Sequence, residues 1–275
     1  MPKISLIVSV YNKVRELELI LTSLSLQTVK DFEVIIADDG SGTAMQDYIN
    51  DVKTRFYFPI LHIRQEDKGF RKSRILNLAI NESNSDFLTF IDGDCIPHSR
   101  FIEGHVKNIK ENTVLCGRRV FLNKEITDLI DTNYIFEKKI EKSFLKIFCS
   151  SVNKKSPSKH TEEALFIKSG FIRSLFRFGD TKLLGSNYSL PKELLIKING
   201  FDENYVGAGI GEDSDIEYRL RLINAEFKSV RNLAIVYHLY HDKTVEEKKN
   251  YDYFQNIKKS GIYFCKNGLV KLNNL

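Results

Sequence analysis

The chain has 275 residues, 42% of them hydrophobic and 28% charged, with 15 Gly and only 5 Pro, which excludes collagen-like, low-complexity and disordered classes. At this length about three quarters of the unfolded surface can be buried, in one large domain or two joined halves. A net charge of +5, from 41 basic and 36 acidic residues, is too mild for a dedicated nucleic-acid binder, so no nucleic-acid partner is expected.

Taken from the amino end, short apolar runs over 4–10 (ISLIVSV), 32–38 (FEVIIAD), 60–64 (ILHIR) and 86–92 (DFLTFID) read as strands covered on both faces. Between them, 14–27, 43–54 and 71–82 have helical spacing, with Leu17, Leu21 and Leu24 on one face and Ile75, Leu76 and Ala79 on another. This βαβαβαβ alternation predicts an α/β protein with a mostly parallel central sheet flanked by helices and a ligand site at the carboxyl ends of the strands. Tyr11-Asn12, Asp38-Asp39-Gly40-Ser41 and Asp92-Gly93-Asp94 all fall at those ends.

Further along, a helix is expected over 98–112 and a strand over 115–121 (LCGRRVF), followed by a less regular, lysine-rich excursion over 123–163. A second ordered block runs from Gly185 to about His241. Residues 138–159 carry seven Lys against one Glu, and residues 243–275 carry seven Lys against three acids. Such basic faces suit an anionic membrane surface, with solvated surface lysines as the alternative. The tail also interleaves Tyr251, Tyr253, Phe254, Ile257, Ile262, Tyr263 and Phe264, so it reads either as an interfacial segment or as a helix docked on the body.

No apolar run reaches the roughly 20 residues of a membrane span. The start MPKISLIVSVYNK has neither a long apolar core nor a small-residue cleavage site, so a cytoplasmic location is expected, with the inner membrane face as a candidate contact. Cys95, Cys116, Cys149 and Cys265 form no CxxC pair and read as reduced thiols.

Two carboxylates around one glycine, directly after a buried strand, offer oxygen ligands for a divalent cation that also holds phosphates. An Asp-Gly turn alone would be ordinary. The GAGIG run at 207–211 lacks the strand before it and the acid about 20 residues later that a dinucleotide loop requires, so that cofactor is rejected.

The runs SLIVSVYN at 5–12, ADDGS at 37–41, DKGFRKSRILN at 67–77 and FIDGD at 90–94 resemble family 2 glycosyltransferases of the GT-A fold. GSNYSLPKE at 185–193, INGFDENY at 198–205 and GEDSDIEYRL at 211–220 are similar to the carboxyl half of the beta-1,4-galactosyltransferases and of bacterial chondroitin polymerase. The resemblance implies a Rossmann-like GT-A domain over 1–241, with a nucleotide-sugar half at 1–97 and an acceptor and catalytic half at 98–241, and a basic tail at 242–275. It implies that Tyr11, Asp38 and Asp39 hold the nucleotide, that Arg71 and Arg74 reach the diphosphate or sugar, and that Asp92 and Gly93 line the donor site. It further implies Asp94 and His238 as ligands of Mn²⁺ or Mg²⁺, His238 being preferred over His241, and Asp213 as catalytic base. Glu212, Asp215 and Tyr205 are the acceptor-side candidates, Asp215 also serving as a helix cap. Relatives place a tryptophan in this stretch, but the chain has no Trp, so acceptor stacking falls to Tyr205, Tyr188 or another aromatic.

The implied activity is an inverting, metal-dependent transfer of a hexose or N-acetylhexosamine from a UDP-sugar to a glycan or lipid-linked acceptor, in bacterial surface polysaccharide synthesis. A nucleotidyltransferase is the first rival, but the amino-terminal VSVYNKVRE lacks its glycine-rich phosphate loop. A non-catalytic carbohydrate-binding protein of the same fold is the second, and it would be free to lose acids that are all present here.

Overall fold

A computed structural model describes residues 1–152, 157–175, 181–207, 211–242 and 248–271. In chain order the first half contains β1 (Ser5–Val10), α1 (Val14–Ser25), β2 (Glu33–Asp38), α2 (Thr43–Val52), β3 (Ile60–Arg64), α3 (Lys72–Glu82), β4 (Phe87–Asp92), β5 (Cys95–Pro97) and α4 (Phe101–Val106). Then come β6 (Thr113–Cys116), β7 (Arg118–Phe121), α5 (Lys124–Leu129), α6 (Thr132–Phe136), α7 (Lys139–Lys142), α8 (Phe144–Ser150), a 3-10 helix (Thr161–Ala164) and α9 (Gly170–Leu175). The last part holds β8 (Tyr188–Pro191), α10 (Lys192–Lys197), α11 (Glu212–Leu222), β9 (Glu226–Ser229), β10 (Ile235–His238) and α12 (Lys248–Ser260).

Seven strands form one sheet in the order β3-β2-β1-β4-β8-β6-β9, its first four members parallel and β8 antiparallel to both neighbours. The expected parallel α/β sheet is therefore present. The strands read as continuous apolar runs because both sheet faces are covered: Leu6, Val8 and Val10 pack with Leu17, Leu21 and Leu24 of α1, whereas Ile7 packs with Ile75 and Ala79 of α3. Each such buried aliphatic side chain contributes about 1.5–3 kcal/mol. Register brings the carboxyl ends together, since Ser9 pairs with Ala37 on one side and with Asp92 on the other.

The strand expected over 115–121 is two strands in two sheets. β6 joins the large sheet, while β7 joins a three-stranded sheet in the order β5-β10-β7. The break falls at Gly117, where a Cβ would lie within 2.3 Å of the Asn187 side-chain amide. Asn187 donates from Nδ2 to the carbonyls of Arg118 (2.7 Å) and Ala234 (2.8 Å), lacing the two sheets together. A residue arriving from the second half of the chain makes this corner.

The helix expected over 98–112 is shorter, at Phe101–Val106. Residues 123–163 are more ordered than the sequence suggests, with four short helices whose Ile126, Ile135, Ile140 and Ile147 enter the main core. Residues 153–156 of that excursion lie outside the described residues.

The tail is docked along 248–271. Tyr253 Oη donates to Asp202 Oδ2 at 2.8 Å, Asn250 Oδ1 accepts from Val206 N at 3.2 Å, and Cys265 is buried. Residues 243–247 and 272–275 lie outside the described residues. Among the described residues no helix is long and apolar enough to cross a membrane.

Candidate active site

At the carboxyl edge of the large sheet lies an open cleft of about 820 Å³, within the range of small-molecule sites. Its floor is the end of β1 and the Asp92-Gly93-Asp94 turn. A Cβ on Gly93 would lie 2.6 Å from the Ser9 carbonyl, so only glycine lets this turn sit on β1 and aim both flanking carboxylates outward.

Of the two acids ending β2, Asp39 lines the cleft and Asp38 does not. Asp38 is fully buried; its Oδ1 accepts from Ser41 N at 2.7 Å and its Oδ2 lies 3.0 Å from His62 Nε2. Burial raises the Asp38 carboxyl, but His62 and Ser41 outweigh it and hold it below the usual range. Asp38 therefore shapes the turn from beneath, and only Asp39 of the expected pair reaches the cleft. Asp39 accepts from Gln65 Nε2 and from Arg71 N (2.8 Å), and burial pushes its carboxyl up. Tyr11 stands half exposed at the rim, its Oη 3.0 Å from Asp67 Oδ2.

In the GFRKSR segment the structure selects a residue that the sequence reading passed over. Arg71 turns its guanidinium to the Glu66 carbonyl and Arg74 donates to Gln65 Oε1 at 2.6 Å, so neither lines the cleft. The cation of this segment that does line the cleft is Lys72. Its Nζ sits 2.8 Å from Asp92 Oδ1 and 3.2 Å from Glu212 Oε1. Burial pulls the Lys72 ammonium down, yet Asp92 and Glu212 together push it well above the usual lysine range. Burial likewise raises Asp92, but Lys72 and then Arg119 hold that carboxyl low. Arg119 of β7 lies 3.6 Å from Asp92 and donates to Ser186 Oγ at 3.0 Å, another cleft residue that the sequence did not disclose.

Asp94 faces a different group. His238 Nε2 and His241 Nε2 each lie 3.5 Å from one of its oxygens, and Lys13 Nζ lies 2.6 Å from Oδ2. Antiparallel pairing of β10 with β5 sets His238 opposite Cys95, next to Asp94, which explains how a histidine late in the chain reaches this turn. Burial lowers His238, keeping its imidazole neutral and able to coordinate. Cys95 is also near, but burial followed by the Asp94 and Asp92 charges pushes its thiol well above the usual range, so it remains an SH group. Asp94 and His238, with the Cys95 thiol beside them, lie close enough together to hold one divalent cation, His241 stands 3.5 Å from Asp94, and Lys13 already seats a positive charge there.

Opposite the turn, α11 begins with Glu212 and Asp213, which both line the cleft. Burial raises Glu212, with Lys72 pulling the other way. Asp213 Oδ2 accepts from Gly185 N at 3.3 Å and Oδ1 from Ser214 N at 2.7 Å. Asp215 and Tyr205 are different. Asp215 is fully buried against Arg219 (2.7 Å to Nε), whose Nη1 donates to the carbonyls of Ile198 and Gly200. Tyr205 is buried edge-on to Tyr253 of α12, and Tyr188 is buried in a stack on Phe90. None of the three lines the cleft, and each is buried among protein partners instead of standing on the expected acceptor side. The exposed aromatic edge of the cleft is instead Phe70, with Tyr11. The middle of GAGIG, residues 208–210, lies outside the described residues.

Residues 5–175 match the family described as "Glycosyl transferase family 2", and residues 170–242 match "N-terminal domain of galactosyltransferase". Among curated relatives, chondroitin synthase of Escherichia coli is 25% identical over 86% of this chain and 34% of its own length. Hyaluronan synthase of Pasteurella multocida is 27% identical over 86% of this chain and 24% of its own length. The chain thus spans about a third or less of these relatives. Among solved structures, S. aureus TarS 1-349 in complex with UDP-GlcNAc superposes with a TM-score of 0.61 at 17% identity, covering 99% of this chain and 69% of that one. The mannosyltransferase PcManGT of Pyrobaculum calidifontis, in complex with GDP-Man and Mn²⁺, gives 0.56 at 14% identity, covering 92% and 59%. These likenesses show the fold. With its family match extending over more than half of its length, the chain belongs to glycosyl transferase family 2 and carries a glycosyltransferase domain of the GT-A fold.

Proposed function

We propose that this chain transfers a hexose or N-acetylhexosamine from a UDP-sugar to a hydroxyl of a glycan or lipid-linked acceptor, with inversion, in polysaccharide synthesis. The observation that carries the reading is that Asp94 with its two histidines and Asp213 of α11 line one cleft. The chondroitin and hyaluronan synthases among the relatives, and the UDP-GlcNAc held by one structural neighbour, favour a UDP-sugar over GDP-mannose.

In this reading Asp94, His238 and His241 hold Mn²⁺ or Mg²⁺, and the mixed oxygen and nitrogen donors suit Mn²⁺ at least as well. The bound cation supplies charge neutralisation for the departing diphosphate. Lys72 and Arg119 stand beside Asp92 and add fixed positive charge at the same place. Asp39 and Tyr11 receive the nucleoside at the β1 and β2 ends. Asp213 accepts the proton of the attacking hydroxyl through the oxygen that Gly185 N already orients. Attack from the face opposite the leaving diphosphate is a single displacement, which inverts the anomeric centre.

The test is release of UDP from a panel of UDP-sugars, with GDP-mannose as comparison, in Mn²⁺, Mg²⁺ and EDTA. Turnover restricted to a UDP-sugar and lost in EDTA is the expected result. Equal turnover in EDTA removes the metal assignment, and preference for GDP-mannose removes the donor assignment.

A further inference from the structure

Helix α8 turns an apolar strip away from the protein. Leu145, Phe148 and Cys149 follow the i, i+3, i+4 spacing of one face of α8, and Val152 lies just beyond its end. All four are exposed, Leu145 at 74% and Val152 at 80%. On the opposite side Ile147 is fully buried in the main core. Ile147 and the partly buried Phe144 thus anchor the helix, and a second apolar stripe is left facing outward, where a globular domain ordinarily presents polar residues.

Cations border the strip. Lys146 within α8 and Lys142 at the end of α7 are both exposed. The one acid among residues 138–159, Glu141, is turned inward and accepts from Ser99 N at 2.7 Å and Ser99 Oγ at 2.9 Å. An apolar face edged by lysines is the pattern of a helix lying in a membrane interface, and its charge complements anionic head groups. A second copy of this chain would set the same lysines against each other, which opposes self-association through this face.

The strip is also connected to the cleft. Ser158 N donates to the Ser150 carbonyl at 3.3 Å, and the two hydroxyls meet at 2.6 Å, tying the end of α8 to the next segment. That segment pairs in turn with β7, where Lys159 and Phe121 exchange backbone hydrogen bonds of 2.9 and 3.0 Å. Phe121 lines the cleft.

We propose that α8 seats the protein on an anionic phospholipid bilayer, with Leu145, Phe148 and Val152 entering the interface and Lys142 and Lys146 meeting head-group phosphates. The same strip is tied by hydrogen bonds to the wall of the cleft that carries Arg119 and Phe121. It assigns the membrane contact to the 138–152 region, whereas Tyr253 and Cys265 of the basic tail are used in docking.

The chain has no tryptophan, so the full-length variant L145W reports its own environment without background. Its emission should shift to the blue on vesicles containing phosphatidylglycerol, less so at high salt, and little on phosphatidylcholine alone. Sedimentation with the same vesicles should fall at least about tenfold in the L145E/F148E variant, since two charges replace buried apolar contacts. Both positions are exposed, so the parent's unfolding midpoint and UDP binding should be kept, which separates failure of lipid contact from failure of the cleft assignment. The proposal is overturned if L145E/F148E sediments like the parent. It is equally overturned if L145W ignores vesicles and shifts only with protein concentration, which would assign the strip to self-association.

Discussion

Lys72, the first residue of α3, and Glu212, the first residue of α11, meet at 3.2 Å across the cleft. The same ammonium lies 2.8 Å from Asp92, so one cation neutralises a carboxylate from each half of the chain. The pairing joins the two halves across the cleft, and it holds the Asp92 carboxyl low while only partly offsetting the burial that raises Glu212.

Removing that cation should be costly. Lys72→Met leaves Asp92 and Glu212 without their shared partner and is expected to lower stability by about 2–4 kcal/mol, toward the lower range for breaking a buried pair because the site opens to solvent. Urea unfolding at neutral pH measures it. Lys72→Arg, which keeps the charge, should recover much of the loss, and an unchanged midpoint for Lys72→Met would mean that the bridge adds nothing to the fold.

Lys13 competes for the oxygen of Asp94 that a metal would use. Lys13→Ala should therefore tighten Mn²⁺ binding in the nucleotide-free protein several-fold, read by calorimetry. Asp94→Ala should abolish both transfer and Mn²⁺-dependent UDP binding while leaving the circular dichroism spectrum unchanged. UDP binding in the parent that is indifferent to EDTA would remove the metal-bridged diphosphate.

Asp213→Asn keeps shape and hydrogen bonding to Gly185 N but loses basicity. Turnover is expected to fall about a hundredfold or more, with UDP-sugar affinity nearly unchanged. A turnover within about threefold of the parent would leave Asp213 as a polar lining of the cleft.

His105 gives a pH signature away from the cleft. It is fully buried, lies 2.8 Å from Ser189 Oγ, and burial pushes it down to about 4. Between about pH 6.5 and 4 the unfolded chain binds a proton there that the folded protein does not, so stability falls as pH falls, by up to about 3 kcal/mol across the window. Denaturation midpoints of His105→Gln should depend less steeply on pH in that range. An identical slope in parent and variant would show that His105 does not titrate between the two states.

Sequence alone determined the alternating strands and helices of the first half, because each strand of the parallel sheet is buried on both faces and its apolar run is unbroken. Asp39, Asp92, Asp94 and Asp213 were legible for a related reason: each sits in a short local motif at the end of a strand or the start of a helix, where backbone geometry aims it. Tertiary structure decided the rest. Arg71, Lys72 and Arg74 are equivalent cations in the sequence, yet only Lys72 finds acids from β4 and α11 in front of it. Arg119 and His241 enter the cleft through the small sheet, whose strands are brought together from 95–97, 118–121 and 235–238. Asp215 and Tyr205 look like acceptor ligands until Arg219 and Tyr253 cover them. Local periodicity reports which face of an element is apolar, but the partner that a polar side chain meets depends on segments distant in the chain, and that only packing selects.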